Sequence, residues 1–215
     1  MSYPNAFLRR GPSANSGLTR SAVANTQDEQ IVAQGLPPYT EMSRRNRGWQ
    51  VMNTSAVAGL VVRPSTTAHA TLYNNNTAQS EIALVIDRVF VFNLVTTAAI
   101  SGYSLWGCVH PTGRAADAAD ITAFKSMSGL ATAYAGAARF DNGATVTDDG
   151  WFPIGEPSLT GGVTVAPSGA KAIPLEGRII VPPTAAFSLA PVSTIVGLTF
   201  TVGFSFWELP LPMGE

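Results

Sequence analysis

Residues 198–209 read LTFTVGFSFWEL, and this stretch is the clearest indication of the fold class. Apolar side chains alternate along it with small or polar ones. The apolar set is Leu198, Phe200, Val202, Phe204 and Phe206, and the other set is Thr199, Thr201, Gly203 and Ser205. A period of two places the two sets on opposite faces of a β-strand. The stretch therefore predicts a strand that turns one apolar face towards the core of a β-sandwich.

A second long strand is predicted over residues 81–95, and it is apolar on both faces. One face carries Ile82, Leu84, Ile86, Phe90, Phe92 and Leu94, and the other carries Ala83, Val85, Val89 and Val91. A strand of this kind lies either in the middle of a packed structure or under a neighbouring subunit. Val85, Val89 and Val91 are the candidates for contact with a neighbouring subunit. Trp207 is a further candidate, because it shares the polar face of the last strand.

The rest of residues 49–215 consists mostly of strand-sized segments separated by turn signals. Turns are predicted at Asn74-Asn75-Asn76, at Asp141-Asn142-Gly143 and at Glu176-Gly177. Residues 114–120, RAADAAD, are the one stretch that predicts a short helix. About ten short strands with glycine and proline turns are typical of a sandwich. The prediction is an all-β domain, a jelly-roll β-sandwich, although the strand order does not follow from the pattern.

Residues 1–48 predict an extended polar and basic arm, because they show no sustained period and few apolar residues. Residues 1–50 hold six arginines and three acidic residues, whereas the remainder holds seven basic and eleven acidic residues. A basic arm on an acidic body suits docking onto an acidic neighbour, such as another copy of the chain. The expected contact residues of the arm are Phe7, Leu8, Arg9, Arg10, Arg44, Arg45 and Arg47.

The chain carries few charges. Charged residues make up 13% of it, against about 25% in typical soluble domains. A surface so poor in charge favours coverage by other subunits. The net charge of −1 argues against a dedicated nucleic-acid-binding protein.

A membrane span is rejected for residues 179–207, although they contain no charged residue. Three prolines interrupt this stretch, and its apolar residues alternate with serine and threonine. This pattern predicts strands rather than a transmembrane helix. Cys108 is the only cysteine, so no internal disulfide is expected.

The residues that could carry chemistry are few, and we expect no catalytic residue, no metal site and no cofactor. Neither His69 nor His110 is accompanied by a nucleophile-elbow motif. A hydrolase, the enzymatic alternative, would need one of these histidines close to a serine and an acid. Zinc would normally require a fourth ligand beside Cys108 and the two histidines. The acidic loop around Asp148 lacks the alternating pattern of a calcium loop.

Carbohydrate binding is a further alternative, because aromatic rings on β-sandwiches can stack on sugars. It predicts exposed tryptophans around a shallow groove. The four tryptophans are Trp49, Trp106, Trp151 and Trp207. Most such residues are core or interface anchors instead.

Two stretches resemble jelly-roll structural proteins of tailed bacteriophages. They are GRIIVPP at 177–183, followed by FSL at 187–189, and FTVGFSFWELP at 200–210. The resemblance covers the last forty residues best. It implies tumour-necrosis-factor-like topology and a homo-oligomer, a trimer, mounted on the major capsid protein or on another virion protein. It also implies that the arm crosses neighbouring subunits and that no residue is catalytic.

The expected function is therefore that of a virion structural protein, a capsid decoration or minor capsid subunit assembled in the host cytoplasm. Two alternatives remain besides the hydrolase. One is a carbohydrate- or receptor-binding module of a tail or fibre. The other is a major capsid protein with a single jelly roll, whose arm would face packaged nucleic acid.

Overall fold

The computed structural model describes residues 7–8, 20–21, 40–53, 55–95, 103–113, 121–130, 132–158, 170–193 and 198–210. The helix predicted over 114–120 lies outside this range. None of the described helices is long and apolar enough to span a membrane. The elements are β1 (Phe7–Leu8), β2 (Arg20–Ser21), α1 (Thr40–Arg44), β3 (Gly48–Met52), β4 (Val57–Ala58), β5 (Ala70–Asn74), β6 (Ile82–Val95), β7 (Tyr103–His110), β8 (Lys125–Ser126), β9 (Ala138–Asn142), β10 (Phe152–Ser158), β11 (Ala170–Val181), β12 (Ala186–Ser193) and β13 (Thr199–Pro210).

Two antiparallel sheets pack face to face and form a β-sandwich. The six-stranded sheet has the order β11-β6-β13-β3-β8, with β4 also paired to β13, and the five-stranded sheet has the order β10-β7-β12-β5-β9. Apart from the two-residue strands β4 and β8 and the edge strand β9, eight strands remain, four in each sheet. The chain passes between the sheets in the order of a double Greek key, which is the jelly roll. The predicted fold class is confirmed.

The core lies between the sheets and is built by the alternation that the sequence shows. Phe200, Val202, Phe204 and Phe206 are buried there, in strand β13. The ring of Phe204 packs edge-on against Phe140 and Phe187, with ring centroids 5.9 and 5.8 Å apart. Edge-to-face packing of this kind adds to the burial of apolar area.

A β-bulge interrupts the long strands of the six-stranded sheet. The register of β6 against β13 shifts between the pairs Arg88–Ser205 and Ile86–Phe206, so Asp87 is the extra residue. Its carboxylate accepts hydrogen bonds from the Ser205 hydroxyl at 3.0 Å and from Arg88 Nε at 2.9 Å. The bulge thus places a partnered acidic group within a strand that is mostly apolar.

The chain divides into two compact units, Met1–Glu41 and Met42–Glu215. In the first, β1 pairs antiparallel with β2 through Phe7–Ser21 and Leu8–Arg20. The predicted boundary lay after residue 48, but Gly48 already belongs to β3. Arg44, Arg45 and Arg47, which were predicted as arm residues, accordingly belong to the second unit.

The four side chains predicted for the body interface are buried in the structure. Val89 and Val91 lie in the core between the sheets. Val85 and Trp207 are register partners whose strand neighbours face the core, so both point away from it. They are nevertheless only 6% and 3% exposed. All four side chains are thus buried within the chain. An apolar strand pattern indicates that a face is covered, but it does not show whether the same chain or a neighbouring subunit covers it.

Candidate functional site

The outer face of the five-stranded sheet carries the most concentrated polar chemistry among the described residues. Leu72, Val109 and Phe187 turn inwards from β5, β7 and β12, so their neighbours Thr71, His110 and Ser188 turn outwards. The segment 143–151 packs over this face. The outer cluster consists of Ala68, Tyr73, Cys108, Ala144, Trp151, Ala186 and Ala190, with Leu60, Trp106 and Val146 packed against it.

Hydrogen bonds hold the segment 143–151 over the sheet. The Val146 N–H donates to the Thr66 carbonyl at 2.9 Å, and the Trp151 indole N–H donates to the Ser65 carbonyl at 2.8 Å. On the surface, both Asp148 oxygens accept hydrogen bonds from Arg63, at 3.0 and 3.2 Å.

His110 is the centre of a buried hydrogen-bond chain under this segment. Its Nδ1 lies 2.8 Å from Asp149 Oδ2, and its Nε2 lies 2.8 Å from Ser188 Oγ. Ser188 Oγ also lies 2.8 Å from Thr71 Oγ1. Since the Asp149 carboxylate is an acceptor, a neutral His110 carries its proton on Nδ1. Nε2 then accepts from the Ser188 hydroxyl, and the Thr71 hydroxyl donates to Ser188.

Asp149 contacts Nδ1 of His110 and Ser188 contacts Nε2, which is the arrangement of a catalytic Ser-His-Asp triad. The serine environment differs from that of an active nucleophile, because Ser188 is 0% exposed. It also lies within a strand rather than on a sharp turn. As it stands, the chain of hydrogen bonds joins β5, β7 and β12 to the covering segment. A cavity of about 260 Å³ adjoins it and is lined in part by Tyr73, His110 and Ala186.

The sequence offered His110 and His69 as the possible histidines of such a cluster, but it did not identify Ser188 or Asp149 as the partners. His110 is 39 residues from Asp149 and 78 residues from Ser188. The sequence supplied only the general requirement that a hydrolase needs a histidine close to a serine and an acid. The pairing of β7 with β12 brings His110 and Ser188 together, and the covering segment 143–151 adds Asp149.

His69 has a structural environment. Its Nε2 lies 3.0 Å from the Phe200 carbonyl oxygen, to which it donates as the neutral ring. Burial lowers the pKa of His69 from 6.5 to about 4. His69 therefore stays uncharged at neutral pH and takes no part in the triad-like cluster.

Cys108 lies beside His110, with Sγ 3.8 Å from Nδ1. Burial raises the pKa of the thiol, so it resembles a buried structural thiol rather than a reactive one. No group of three or more metal-ligating side chains with suitable geometry occurs in the described part of the chain.

The tryptophans do not form the exposed platform that a sugar-binding module would need. Trp49, Trp151 and Trp207 are buried, and Trp106 is half-buried. The Trp106 indole N–H donates to Ser104 Oγ at 2.9 Å.

One part of the outer face of the six-stranded sheet carries partly exposed apolar side chains. Four neighbouring strands place Met52, Gly203, Phe90 and Ala172 in register on this face. We call these four residues the apolar row. Met52 is 43% exposed, Phe90 is half-buried, and both line a shallow cavity of about 300 Å³ together with Lys125.

The basic residues predicted for the arm fall into three groups. Arg44 ends α1, and Arg45 and Arg47 line a cavity at one end of the six-stranded sheet. All three are exposed. Arg9 and Arg10 lie outside the described residues.

Comparison with known proteins adds no relationship. No protein-family model, no curated protein and no solved structure matches this chain. The function is therefore argued from the sites above.

Proposed function

We propose that the chain is a structural subunit of a virus particle, a decoration or minor capsid protein that stabilises the particle through contacts between subunits. The apolar row carries this proposal. It places partly exposed apolar side chains on the surface of a chain in which 13% of the residues are charged. Surfaces of this kind in soluble proteins mark sites of association.

The fold and the N-terminal unit support the same function. The jelly roll occurs in viral capsid domains, but also in lectins and cupins, so the fold alone does not distinguish between these functions. The resemblance of residues 177–183 and 200–210 to phage structural proteins favours the capsid role among these. The separate unit Met1–Glu41 provides a segment for contacts beyond the sandwich.

Light scattering of the full-length chain at several concentrations tests the proposal. We expect a closed oligomer, with the trimer as the first candidate. Met52→Glu should weaken association at least tenfold, because it places a charge in the apolar row. Val62→Glu is the matched control, since Val62 is 67% exposed and lies outside the row. A wild-type chain that stays monomeric throughout would overturn the proposal.

The triad-like cluster favours a second candidate, a serine hydrolase acting on an ester. Ser188 Oγ would attack the acyl carbon as its proton moves to His110 Nε2, and that proton would then leave with the alcohol. Water would release the acid by the reverse route. Because Ser188 is buried, the segment 143–151 must open first. Labelling by a fluorophosphonate probe in the wild type and not in Ser188→Ala would support this candidate, and absence of labelling would reject it.

A further inference from the structure

The tip of the covering segment, residues 147–150, is attached to the sandwich differently from the two ends of that segment. Before the tip, residues 144–146 are joined to residues 66–68 by two backbone hydrogen bonds of 2.9 Å. After it, the buried Trp151 ring is fixed by its indole hydrogen bond. Within the described residues, the tip makes no backbone–backbone hydrogen bond outside itself. It is therefore a short loop between two anchored ends.

Two acidic side chains hold the tip against the sandwich. Asp148 binds Arg63 at the surface, where the two side chains are 37% and 50% exposed. Ion pairs exposed to this extent contribute little, because water screens them. Asp149 binds the buried ring of His110. Burial raises the pKa of the Cys108 thiol, and a hydrogen bond to the Asp149 backbone acts in the opposite direction. The tip thus covers two buried side chains and is fastened at the surface by one weak contact.

A glycine at the end of the tip supplies the backbone freedom that a moving loop needs. Gly150 has a φ of +104°, and a Cβ added there would have no atom within 4 Å. Glycine adopts positive and negative φ with similar ease, so the chain can turn at this position. All four residues of the tip are exposed. Space and backbone freedom are therefore both present for an outward movement of the tip.

We propose that residues 147–150 form a flap, fastened by the Arg63–Asp148 pair, which opens while the sandwich stays folded and uncovers Cys108 and Ser188. Local openings cost less than global unfolding where few buried contacts are lost. Ser188 is the register partner of Cys108, and both are 0% exposed, so the same movement exposes both. The assembly function does not depend on this flap, whereas the hydrolase candidate requires it.

Cys108 is a natural reporter of the open flap, because it is the only cysteine and is fully buried when the flap is closed. Alkylation of the full-length chain by N-ethylmaleimide, followed by mass spectrometry, measures how often the thiol is exposed. We expect slow labelling of the folded chain at a rate that does not change at low urea, since a local opening exposes little new surface. A rate that rises with urea as steeply as global unfolding would overturn the flap.

Arg63→Gln tests the surface contact. Loss of the Arg63–Asp148 pair should increase the labelling rate about two- to fivefold, as expected for an exposed ion pair. Burial dominates the pKa of Cys108, but the Arg63 charge acts to lower it, so loss of this charge by itself would slow the reaction. Arg178→Gln is the matched control, because it breaks the exposed Arg178–Glu176 pair in β11. If Arg63→Gln reacts no faster than this control, the proposed fastening is wrong.

The outcomes separate the flap from the proposed functions. Labelling of Cys108 in a chain that does not react with the fluorophosphonate probe leaves the flap standing and rejects the hydrolase. A folded chain whose thiol is labelled only through global unfolding overturns the flap and the hydrolase candidate together. Neither result bears on the assembly function, which light scattering tests. Urea midpoints equal to that of the wild type show that faster labelling in Arg63→Gln comes from the flap and not from a less stable fold.

Discussion

The imidazole Nε2 of His110 lies 2.8 Å from the hydroxyl oxygen of Ser188 on the neighbouring strand. Both side chains are buried. Through this contact a single hydrogen-bond chain runs from Asp149 in the covering segment to Thr71 in β5. The cluster therefore adds to the hydrogen bonds that hold the segment 143–151 over the five-stranded sheet.

Replacing Ser188 by alanine should destabilise the fold. The substitution leaves His110 and Thr71 without their shared partner in a buried site, at a cost of about 1–3 kcal/mol. Urea unfolding followed by tryptophan fluorescence measures the loss. Thr147→Ala is the control, because Thr147 is exposed in the covering segment. An unchanged free energy of unfolding for Ser188→Ala would mean that the hydrogen-bond chain contributes no stability.

His69 should make the fold sensitive to acid. It titrates near 6.5 when unfolded and at about 4 in the fold, so the unfolded chain binds the additional proton between these values. The contribution is fully present above pH 6.5 and is lost as the pH falls towards 4, by roughly 3 kcal/mol. In His69→Gln the amide can still donate to the Phe200 carbonyl but does not titrate. Urea unfolding across this pH range should show a shallower decline for the variant, and equal declines would contradict the assignment.

Gly203 should not tolerate a side chain. A Cβ at this position would lie 2.3 Å from the Val51 carbonyl oxygen and 2.9 Å from Met52 Cα, and both are backbone atoms. Gly203→Ala should cost about 1–3 kcal/mol, as overpacking typically does. Gly143→Asn is the comparison, because its left-handed turn has open space and suits asparagine. The midpoints of thermal unfolding of the two variants test this expectation. Similar midpoints would show that the strands around Gly203 shift to accommodate the added side chain.

Tyr134→Phe should destabilise the fold more at neutral than at acidic pH. The hydroxyl donates to Glu208 and accepts from the Ala138 N–H at 2.9 Å. Burial raises the pKa of Glu208, whereas the tyrosine bond lowers it. The hydrogen bond from Tyr134 therefore stabilises the fold most above the folded pKa of Glu208, where the carboxylate is charged. Its extra contribution is lost as the pH falls through that pKa. Urea unfolding at two pH values measures the difference, with Tyr39→Phe as a conservative comparison. An identical loss at both values would show that Glu208 is not charged in the fold at neutral pH.

The strands were predictable where their own pattern is strong. The alternation over 198–209 predicts β13, which the structure bounds at Thr199–Pro210, and the apolar run over 81–95 predicts β6 at Ile82–Val95. The burial of Val85, Val89 and Val91 within the chain was not predictable. Periodicity tells which side chains share a face, but it does not tell whether that face meets the same chain or another one.

The all-β class, the polar N-terminal segment and the low charge could be predicted from the amino-acid sequence, because they follow from local periodicity and composition. The strand order, the bulge at Asp87 and the meeting of Ser188, His110 and Asp149 become visible only in the folded chain. They depend on which strands pair, in what register, and on how the segment 143–151 packs on the sheet. Pairing is set by contacts between residues far apart in the chain, and no local pattern encodes it.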